Sequence, residues 1–187
     1  MATIRNGNRD VLLVVDAQVG VMRRAWDAPR IVANIGAAVE NARRHQIPVI
    51  WVQHTDEELV AGTPDWQIVP ALAPAAGEMY IEKHFNSSFE ATSLEEALAD
   101  LGATHILLAG AATNWCIRAT AYAALDRGYD LTLLEDAHTT ETVELDNGAT
   151  IAAMSMIQDL NLAMTWLSYP GRKNATMAAA AVGAGVG

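Results

Sequence analysis

The chain has 187 residues, enough for one domain with a sizeable core. Hydrophobic residues make up 51% and charged residues 18%, a composition that excludes a disordered chain. The formal net charge of -10 excludes a nucleic-acid-binding surface, because no basic patch could supply many phosphate contacts. We interpret the close basic pairs Arg23–Arg24 and Arg43–Arg44 as solvated surface.

The cysteine count and the length of the apolar runs indicate the cellular compartment. A single cysteine, Cys116, excludes an intrachain disulfide. The N-terminal sequence MATIRNGNRD contains no apolar stretch typical of a signal peptide. The longest apolar runs have the length of strands and are too short to cross a bilayer. We therefore expect a cytoplasmic protein without a membrane partner.

The first half of the chain alternates apolar strands with a helix. Residues 11–15 form an apolar, β-branched run that predicts a strand. Asp27 and Pro29 are typical of a helix start, and apolar residues at helical spacing follow them. A second strand is predicted at 49–52. The loop 54–78 contains several Gly and Pro residues, and a loop this long in a compact domain is usually functional.

The second half continues this alternation. A short strand at 79–81 leads to Lys83. Ser93, with Glu96 three residues later, predicts a capping box for a helix that ends near Gly102. The remaining predicted elements are strands at 105–109, 129–134 and 162–167 and helices at 115–127 and 145–160.

The alternation also predicts the architecture. Strands that are apolar throughout and alternate with amphipathic helices imply a parallel sheet covered on both faces. We therefore predict a single-domain, three-layer α/β/α, Rossmann-like fold with a mainly parallel sheet of about six strands. Residues 1–170 are assigned to this domain, and residues 171–187 to an Ala/Gly-rich tail that is either a disordered end or a packing arm.

Polar side chains follow the predicted strands. In parallel sheets of this kind, ligands bind beyond the carboxyl ends of the strands. Asp16, His54 and Lys83 follow the first three strands, and residues 110–116 follow the fourth. Asp136 follows the fifth, where we interpret it as a structural residue. The sequence therefore predicts a site at one edge of the sheet.

Cys116 is the candidate nucleophile. It lies in the first turn of a predicted helix, where unpaired backbone N–H groups and the helix dipole favour a thiolate. A lone cysteine is more often a small buried hydrophobe. The preceding sequence Gly-Ala-Ala-Thr-Asn-Trp favours the functional interpretation, because small residues let the backbone approach a ligand closely.

Asp16 and Lys83 are the other candidates. A carboxylate at the end of an apolar strand is costly unless it is paired or part of a site. Asp16 could instead cap the following turn. Lys83 lies between a strand and a loop, and most lysines in such places are surface residues.

Four segments of the chain carry a family resemblance. They are VLLVVDAQVGV, YIEKHFNSSFEATSLEEAL, LLAGAATNWCIRATAYAALDRGYDLTLLEDA and NGATIAAM. They resemble the isochorismatase-like cysteine hydrolase superfamily, which includes nicotinamidases and carbamoylsarcosine amidohydrolases. The resemblance extends over residues 10–168. It rests on an Asp after the first strand, a Lys before a Ser/Phe segment, and a Cys after a Gly-x-x-Thr turn.

The resemblance implies a catalytic triad and its mechanism. Asp16 would take the thiol proton and later protonate the leaving amine, while Lys83 would steady the charges. Cys116 would attack the carbonyl and form a thioester that water hydrolyses. The family also implies a cis peptide bond between Ala111 and Ala112, which would aim the N–H groups of Ala112 and Cys116 at the developing oxyanion.

The chain departs from the nicotinamidases at their metal site. Those enzymes bind a metal through an Asp-x-His motif and a further His, whereas this chain has His54 and Asp56 in the reverse order. Zinc usually takes at least three protein ligands. We therefore predict no metal and no other cofactor, and the nicotinamidase interpretation becomes weaker.

Position beside the triad predicts the pocket walls. The candidates are Gln18, His54, Trp66, Phe85 and Trp115. Trp66 either covers a ligand or anchors its loop in the core, and Phe85 either lines the pocket or belongs to the core. Trp115 could instead face a partner subunit. No role beyond local hydrogen bonding is assigned to His45, His84, His105 and His138.

The predicted function is hydrolysis of a small amide, ureido or lactam C–N bond, with a small amide-type molecule as substrate. A nicotinamidase-like or streptothricin-type lactam hydrolase is a narrower alternative. A thiol redox or sensing protein, or a binding protein without hydrolysis, is an alternative of another class. The resemblance also implies a homodimer or homotetramer, for which Trp26, Trp115 and Trp166 are candidate interface residues.

Overall fold

The computed structural model describes residues 2–184 and is built around one six-stranded sheet. Its parallel strands are β1 (Asp10–Val15), β2 (Val49–His54), β3 (Met79–Lys83), β4 (His105–Ala111), β5 (Asp130–Thr139) and β8 (Asn174–Met177). They lie in the order β3-β2-β1-β4-β5-β8. A separate antiparallel ribbon consists of β6 (Val143–Glu144) and β7 (Thr150–Ile151).

Helices cover both faces of the sheet. They are α1 (Val19–Met22), α2 (Ala28–Arg44), α3 (Leu94–Asp100), α4 (Arg118–Asp126) and α5 (Ala153–Trp166). Side chains alternate along β1, so Val11 and Leu13 pack with α3, α4 and α5, whereas Leu12 and Val14 pack with α1 and α2. This confirms the predicted three-layer α/β/α fold. Within residues 2–184, every helix is too short or too polar to span a lipid bilayer.

The C-terminal third corrects three predicted elements. Residues 162–167, predicted as the last strand, mostly belong to α5, whose buried positions recur at helical spacing. The helix predicted at 145–160 begins only at Ala153, because Asn147–Gly148 turns the chain into the β6–β7 ribbon. The sixth strand of the sheet is β8, which pairs with β5.

The predicted tail contributes to the core. The segment 174–177 forms β8, and Ala179 and Val182 are 1% exposed against α2. Asp136 holds this segment, because its carboxylate accepts the Ala179 backbone N–H at 2.7 Å. Of the two alternatives for the tail, a disordered end or a packing arm, residues 174–182 form the packing arm. Residues 185–187 of the predicted tail lie outside the described residues.

Two predicted helix caps also differ. Ser93 precedes α3, but its side chain makes no capping hydrogen bond, so the capping box is absent there. Asp27 precedes α2 with φ of 48°, and its carboxylate accepts from the Arg30 guanidinium at 2.5 Å instead of capping the helix. Both helices nevertheless begin where the sequence predicts them.

Gly110 allows β4 to approach β1 at the edge that carries the site. Its φ is 123°, a backbone conformation that residues with a Cβ rarely adopt. A Cβ built there would lie 1.9 Å from the carbonyl oxygen of Val15. Because this atom belongs to the backbone of the residue before Asp16, no side-chain movement could relieve the contact.

Replacing Gly110 should therefore damage the fold far more than replacing a glycine in open space. Gly62→Ala is the matched control: its φ is 82°, and its Cβ would meet no atom of residues 2–184 within 4 Å. We expect Gly62→Ala to lower the free energy of unfolding by about 1 kcal/mol. Gly110→Ala should cost at least about 4 kcal/mol or prevent folding. Equal urea midpoints for the two variants would contradict this account.

Candidate active site

Four polar side chains meet where β1 to β4 end. Asp16 follows the last residue of β1, and His54 and Lys83 are the last residues of β2 and β3. His54 and Lys83 are also paired neighbours across the two strands. Cys116 lies in the π-helical turn Thr113–Ile117 that connects β4 to α4. The strand order therefore brings these side chains together at one edge of the sheet, as the sequence predicts.

Lys83 is the centre of the cluster. Its side chain is fully buried, and its Nζ lies 2.7 Å from Asp16 Oδ2 and donates to Cys116 Sγ at 3.2 Å. Its third neighbour is His54, whose Nδ1 is 3.2 Å away. The structure thus brings together the three predicted catalytic residues, and Lys83 is no surface lysine.

Asp16 is held in an unusual conformation. Its φ is 50°, in the left-handed region, which costs of order 1 kcal/mol or more for a residue other than glycine. Its backbone N–H donates to the Val52 carbonyl at 2.9 Å, which fixes the turn. Its Oδ1 is buried and accepts no hydrogen bond from any residue between 2 and 184. This oxygen is available to accept a proton.

Burial sets the protonation of the thiol and the carboxylate. It raises the pKa of Cys116 from 9.0 to about 12, with a further contribution from the Asp16 charge and only partial opposition from Lys83. Burial also raises the pKa of Asp16, against the Lys83 charge. The resting thiol is therefore protonated at neutral pH. The start of the predicted helix favours a thiolate, but burial and the Asp16 charge oppose it and raise the pKa of the thiol.

The turn between β4 and Cys116 has a fixed backbone conformation. The Ala111–Ala112 peptide bond is cis. The Ala112 carbonyl accepts the N–H groups of Trp115 and Ile117, each at 3.1 Å, which closes the π-helical turn around Cys116. The peptide that precedes the turn and the nucleophile candidate are therefore fixed relative to each other.

A cavity of about 350 Å³ lies next to this cluster, large enough for a small molecule. Ala111, Ala112 and His54 belong to its wall. The remaining lining residues are Gly20, Val21, Arg24, Ala25, Asp56, Glu58, Leu59, Asp65, Trp115, Thr140 and Glu141. Cys116 is 8% exposed and is not part of this lining. The lining does include Trp115, its neighbour in the chain, and His54, which contacts Lys83.

Two of the five predicted pocket residues, His54 and Trp115, line the cavity. Gln18 is instead fully buried, and its amide bonds to the His54 backbone and to the Trp66 carbonyl. Trp66 anchors its loop through Nε1, which donates to Thr55 at 2.9 Å, and it lines a different cavity. Phe85 is 53% exposed and lies outside the site wall, so it belongs to neither the pocket nor the core.

Sequence reasoning missed the charged residues of the wall. Arg24, interpreted as solvated surface, is indeed 77% exposed, but it lines the cavity and pairs with Glu141 at 2.9 Å. Asp65 lines it as well and pairs with Arg23. These residues come from the segment after β1, the long loop and the end of β5. No local motif indicates that such segments meet, although the length of the loop was a general signal.

The donors near the cluster do not fit a metal ion. His54 Nε2 is 3.0 Å from Asp56 Oδ2, and its Nδ1 faces the Lys83 ammonium. Both ring nitrogens are thus engaged. Among residues 2–184, no group of three or more His, Cys, Asp or Glu side chains is arranged to hold a metal.

The sequence and the fold both match known proteins. A family model described as the Isochorismatase domain matches residues 10–165. A streptothricin hydrolase of Streptomyces noursei is 31% identical over 136 residues, 69% of this chain and 54% of that protein. A maleamate amidohydrolase of Pseudomonas putida is 32% identical over 126 residues, 64% of this chain and 56% of that protein. The chain thus spans little more than half the length of these two relatives.

Other matches extend further along both chains. A secreted isochorismatase effector of Verticillium dahliae is 32% identical over 137 residues, 68% of this chain and 70% of that protein. The crystal structure of an isochorismatase from Pseudomonas putida has a TM-score of 0.83 and 26% identity, and the match covers 95% of this chain and 93% of that one.

His138, for which the sequence predicts only local hydrogen bonding, supports the turn that carries Cys116. The ring is fully buried on β5. Its Nδ1 lies 2.9 Å from Thr113 Oγ1 and its Nε2 lies 2.9 Å from Asn161 Oδ1 on α5. An amide oxygen can only accept, so Nε2 carries the proton and Nδ1 accepts from Thr113. Burial lowers the pKa of His138 from 6.5 to about 4.

The neutral His138 makes stability depend on pH. Below pH 6.5 the unfolded chain binds a proton that the folded protein does not take up until about pH 4, so acid favours unfolding. We expect the free energy of unfolding to fall by about 3 kcal/mol between pH 7 and pH 4 from this group. Urea unfolding at both pH values should show a smaller decrease for His138→Gln. The same decrease in both proteins would contradict this role.

Proposed function

Because the chain belongs to the isochorismatase family, we propose that it is a cysteine hydrolase that cleaves the C–N bond of a small amide, ureido or lactam substrate. The names of its relatives support this class of reaction, since they include a maleamate amidohydrolase and a streptothricin hydrolase. The single observation that carries the proposal is the shared contact of Lys83 Nζ with Asp16 and Cys116.

The proposed reaction begins with a neutral thiol. Asp16 accepts the Cys116 proton on its unpartnered Oδ1 as the sulfur attacks the substrate carbonyl carbon. The backbone N–H groups of Ala112 and Cys116 receive the developing oxyanion. Asp16 then gives the proton to the leaving nitrogen as the C–N bond breaks, which leaves a thioester. Water adds to the thioester with Asp16 as base, and the acid leaves as the thiol is restored.

The redox alternative has less support. Redox-sensing cysteines are solvent-accessible thiols with a low pKa. Cys116 is 8% exposed, and burial raises its pKa to about 12. A buried protonated thiol beside a carboxylate that can take its proton suits a nucleophile that is activated only when substrate is present.

The charge of the cavity wall also favours one kind of substrate. Four lining residues are acidic: Asp56, Glu58, Asp65 and Glu141. Arg24 is the only arginine or lysine among the described lining residues, and Glu141 already pairs with it. We propose that the enzyme prefers amides that are uncharged or cationic, because a substrate carboxylate would enter a wall of like charge.

Hydrolysis by the wild type and by Cys116→Ala tests the proposal. A panel of neutral, cationic and carboxylate-bearing amides, ureido acids and lactams is incubated with each protein, and ammonia or amine release is measured. We expect Cys116→Ala to lose at least about 1,000-fold in rate. Acid-quenched wild type should carry an acyl group on Cys116 by mass spectrometry.

Two results of this assay would count against the proposal. Full turnover by correctly folded Cys116→Ala would remove the nucleophile, and circular dichroism of the variant controls for its folding. Faster hydrolysis of carboxylate-bearing amides than of neutral ones would overturn the charge preference alone.

We further propose that the chain forms a homodimer or homotetramer in the cytoplasm. Met154, Leu162 and Trp166 are exposed along one side of α5, and Trp166 is 79% exposed. Such an exposed apolar stripe is typical of a protein–protein contact. Trp115, 57% exposed at the cavity, is a second candidate for it.

Light scattering of Trp166→Lys tests the contact. We expect the wild type to be a dimer or tetramer and the variant to dissociate at micromolar concentration, because a lysine at an apolar interface would be desolvated. Val60→Lys is the control, since Val60 is 49% exposed and lies elsewhere on the surface. A wild-type monomer, or a variant that keeps the wild-type mass, would contradict this interface.

A further inference from the structure

His54 is the one contact of Lys83 for which the proposed reaction has no use. A lysine ammonium has three N–H donors and no acceptor. Here it has three neighbours within hydrogen-bond distance: Asp16 Oδ2 at 2.7 Å, Cys116 Sγ at 3.2 Å and His54 Nδ1 at 3.2 Å. Since the Lys83 side chain is fully buried, each of these contacts replaces one that water would make.

The contact determines the tautomer of His54. The ammonium can only donate, so Nδ1 must accept, and in the neutral ring Nε2 then carries the proton. That proton points to Asp56 Oδ2, 3.0 Å away. The structure therefore contains a chain of hydrogen bonds from Asp56 through His54 to Lys83 and on to the sulfur of Cys116.

Asp56 is fixed independently of the ring. Its second oxygen, Oδ1, accepts the backbone N–H groups of Glu58 at 2.9 Å and Leu59 at 2.7 Å. The hydrogen bond from Leu59 is the largest cause that lowers the pKa of Asp56, so the carboxylate stays ionised and can accept from His54. The loop after β2 thus holds this carboxylate through its own backbone N–H groups.

We propose that Asp56 and His54 act as a positioning pair that keeps the Lys83 ammonium directed at Cys116. The inference rests on the proposed cysteine chemistry and deepens it, because the ammonium stabilises the thiolate only while it points at the sulfur. Without an acceptor at Nδ1, one buried N–H of Lys83 would lose its partner. The ammonium would then be less stable, and thiolate formation would become less favourable.

The single cysteine allows a test that needs no substrate. Because Cys116 is the only thiol in the chain, the rate of alkylation by iodoacetamide reports on this sulfur alone. The rate is measured from pH 7 to pH 10 for the wild type and for His54→Leu, His54→Asn and Asp56→Asn. The amide oxygen that His54→Asn introduces can replace Nδ1 as the acceptor, whereas the leucine of His54→Leu fills the space without one.

Asp56→Asn is the second, independent variant. Its oxygen can still accept from Glu58 and Leu59, so the loop keeps its anchor. Its NH₂ group then faces the His54 ring and favours the tautomer with the proton on Nδ1. That proton would point at the ammonium and prevent the contact.

We expect alkylation of His54→Leu and Asp56→Asn to be about tenfold slower than that of the wild type at each pH, which corresponds to one unit in the thiol pKa. His54→Asn should stay within about twofold of the wild type. His84→Leu is the control, because His84 adjoins Lys83 in sequence but its side chain is 62% exposed. Its rate should equal that of the wild type.

Two outcomes would overturn the inference. Unchanged rates in both His54→Leu and Asp56→Asn would show that the pair does not act on the thiol. A His54→Asn rate as low as that of His54→Leu would show that the ring, and not its acceptor, matters. Neither result touches the proposed hydrolysis, which fails separately if Cys116→Ala retains turnover.

Discussion

The buried ion pair between Asp16 and Lys83 is the interaction on which the rest of the site depends. Its atoms lie 2.7 Å apart, and neither side chain is more than 3% exposed. Removing such ions from water costs several kcal/mol each, and their mutual attraction offsets this only when further hydrogen bonds complete the geometry. An apolar pair of similar volume would often stabilise a fold as well. The pair therefore fits the proposed chemistry better than a role in stability alone.

The sheet provides the partners that this pair needs. The order β3-β2-β1-β4 places the ends of four strands side by side, so Lys83, His54 and Asp16 arrive from neighbouring strands without any proximity in sequence. Gly110 lets β4 approach the end of β1. The π-helical turn that follows then brings Cys116 to Lys83 from the fourth strand. The parallel sheet thus places Asp16, His54 and Lys83, and the turn after β4 adds Cys116.

This dependence on strand ends explains what the sequence could predict. Apolar runs give the strands, and their carboxyl ends coincide in a parallel sheet, so the fold class and the edge that carries the site could be predicted. The choice of Asp16, Lys83 and Cys116 among the residues at that edge also needed the family resemblance. The cavity wall could not, because Arg24 and Glu141 meet through loops that no local pattern connects. The sixth strand was missed for a similar reason. The segment 174–177, Asn-Ala-Thr-Met, alternates polar and apolar residues over only four positions and has no apolar run, so its pairing with β5 is what identifies it as a strand.

The same burial that makes the ion pair costly also suits it to proton transfer. In the proposed resting state the negative charge is on Asp16, 2.7 Å from the ammonium; in the proposed activated state it is on Cys116 Sγ, 3.2 Å from the same ammonium. The buried charge sums to zero in both states, so the transfer adds no isolated charge to the interior. Burial raises the pKa of both groups, so the carboxylate becomes a stronger base while the thiol becomes a weaker acid. Both states need the Lys83 ammonium in the same position. A residue that holds this ammonium in place would therefore stabilise both states.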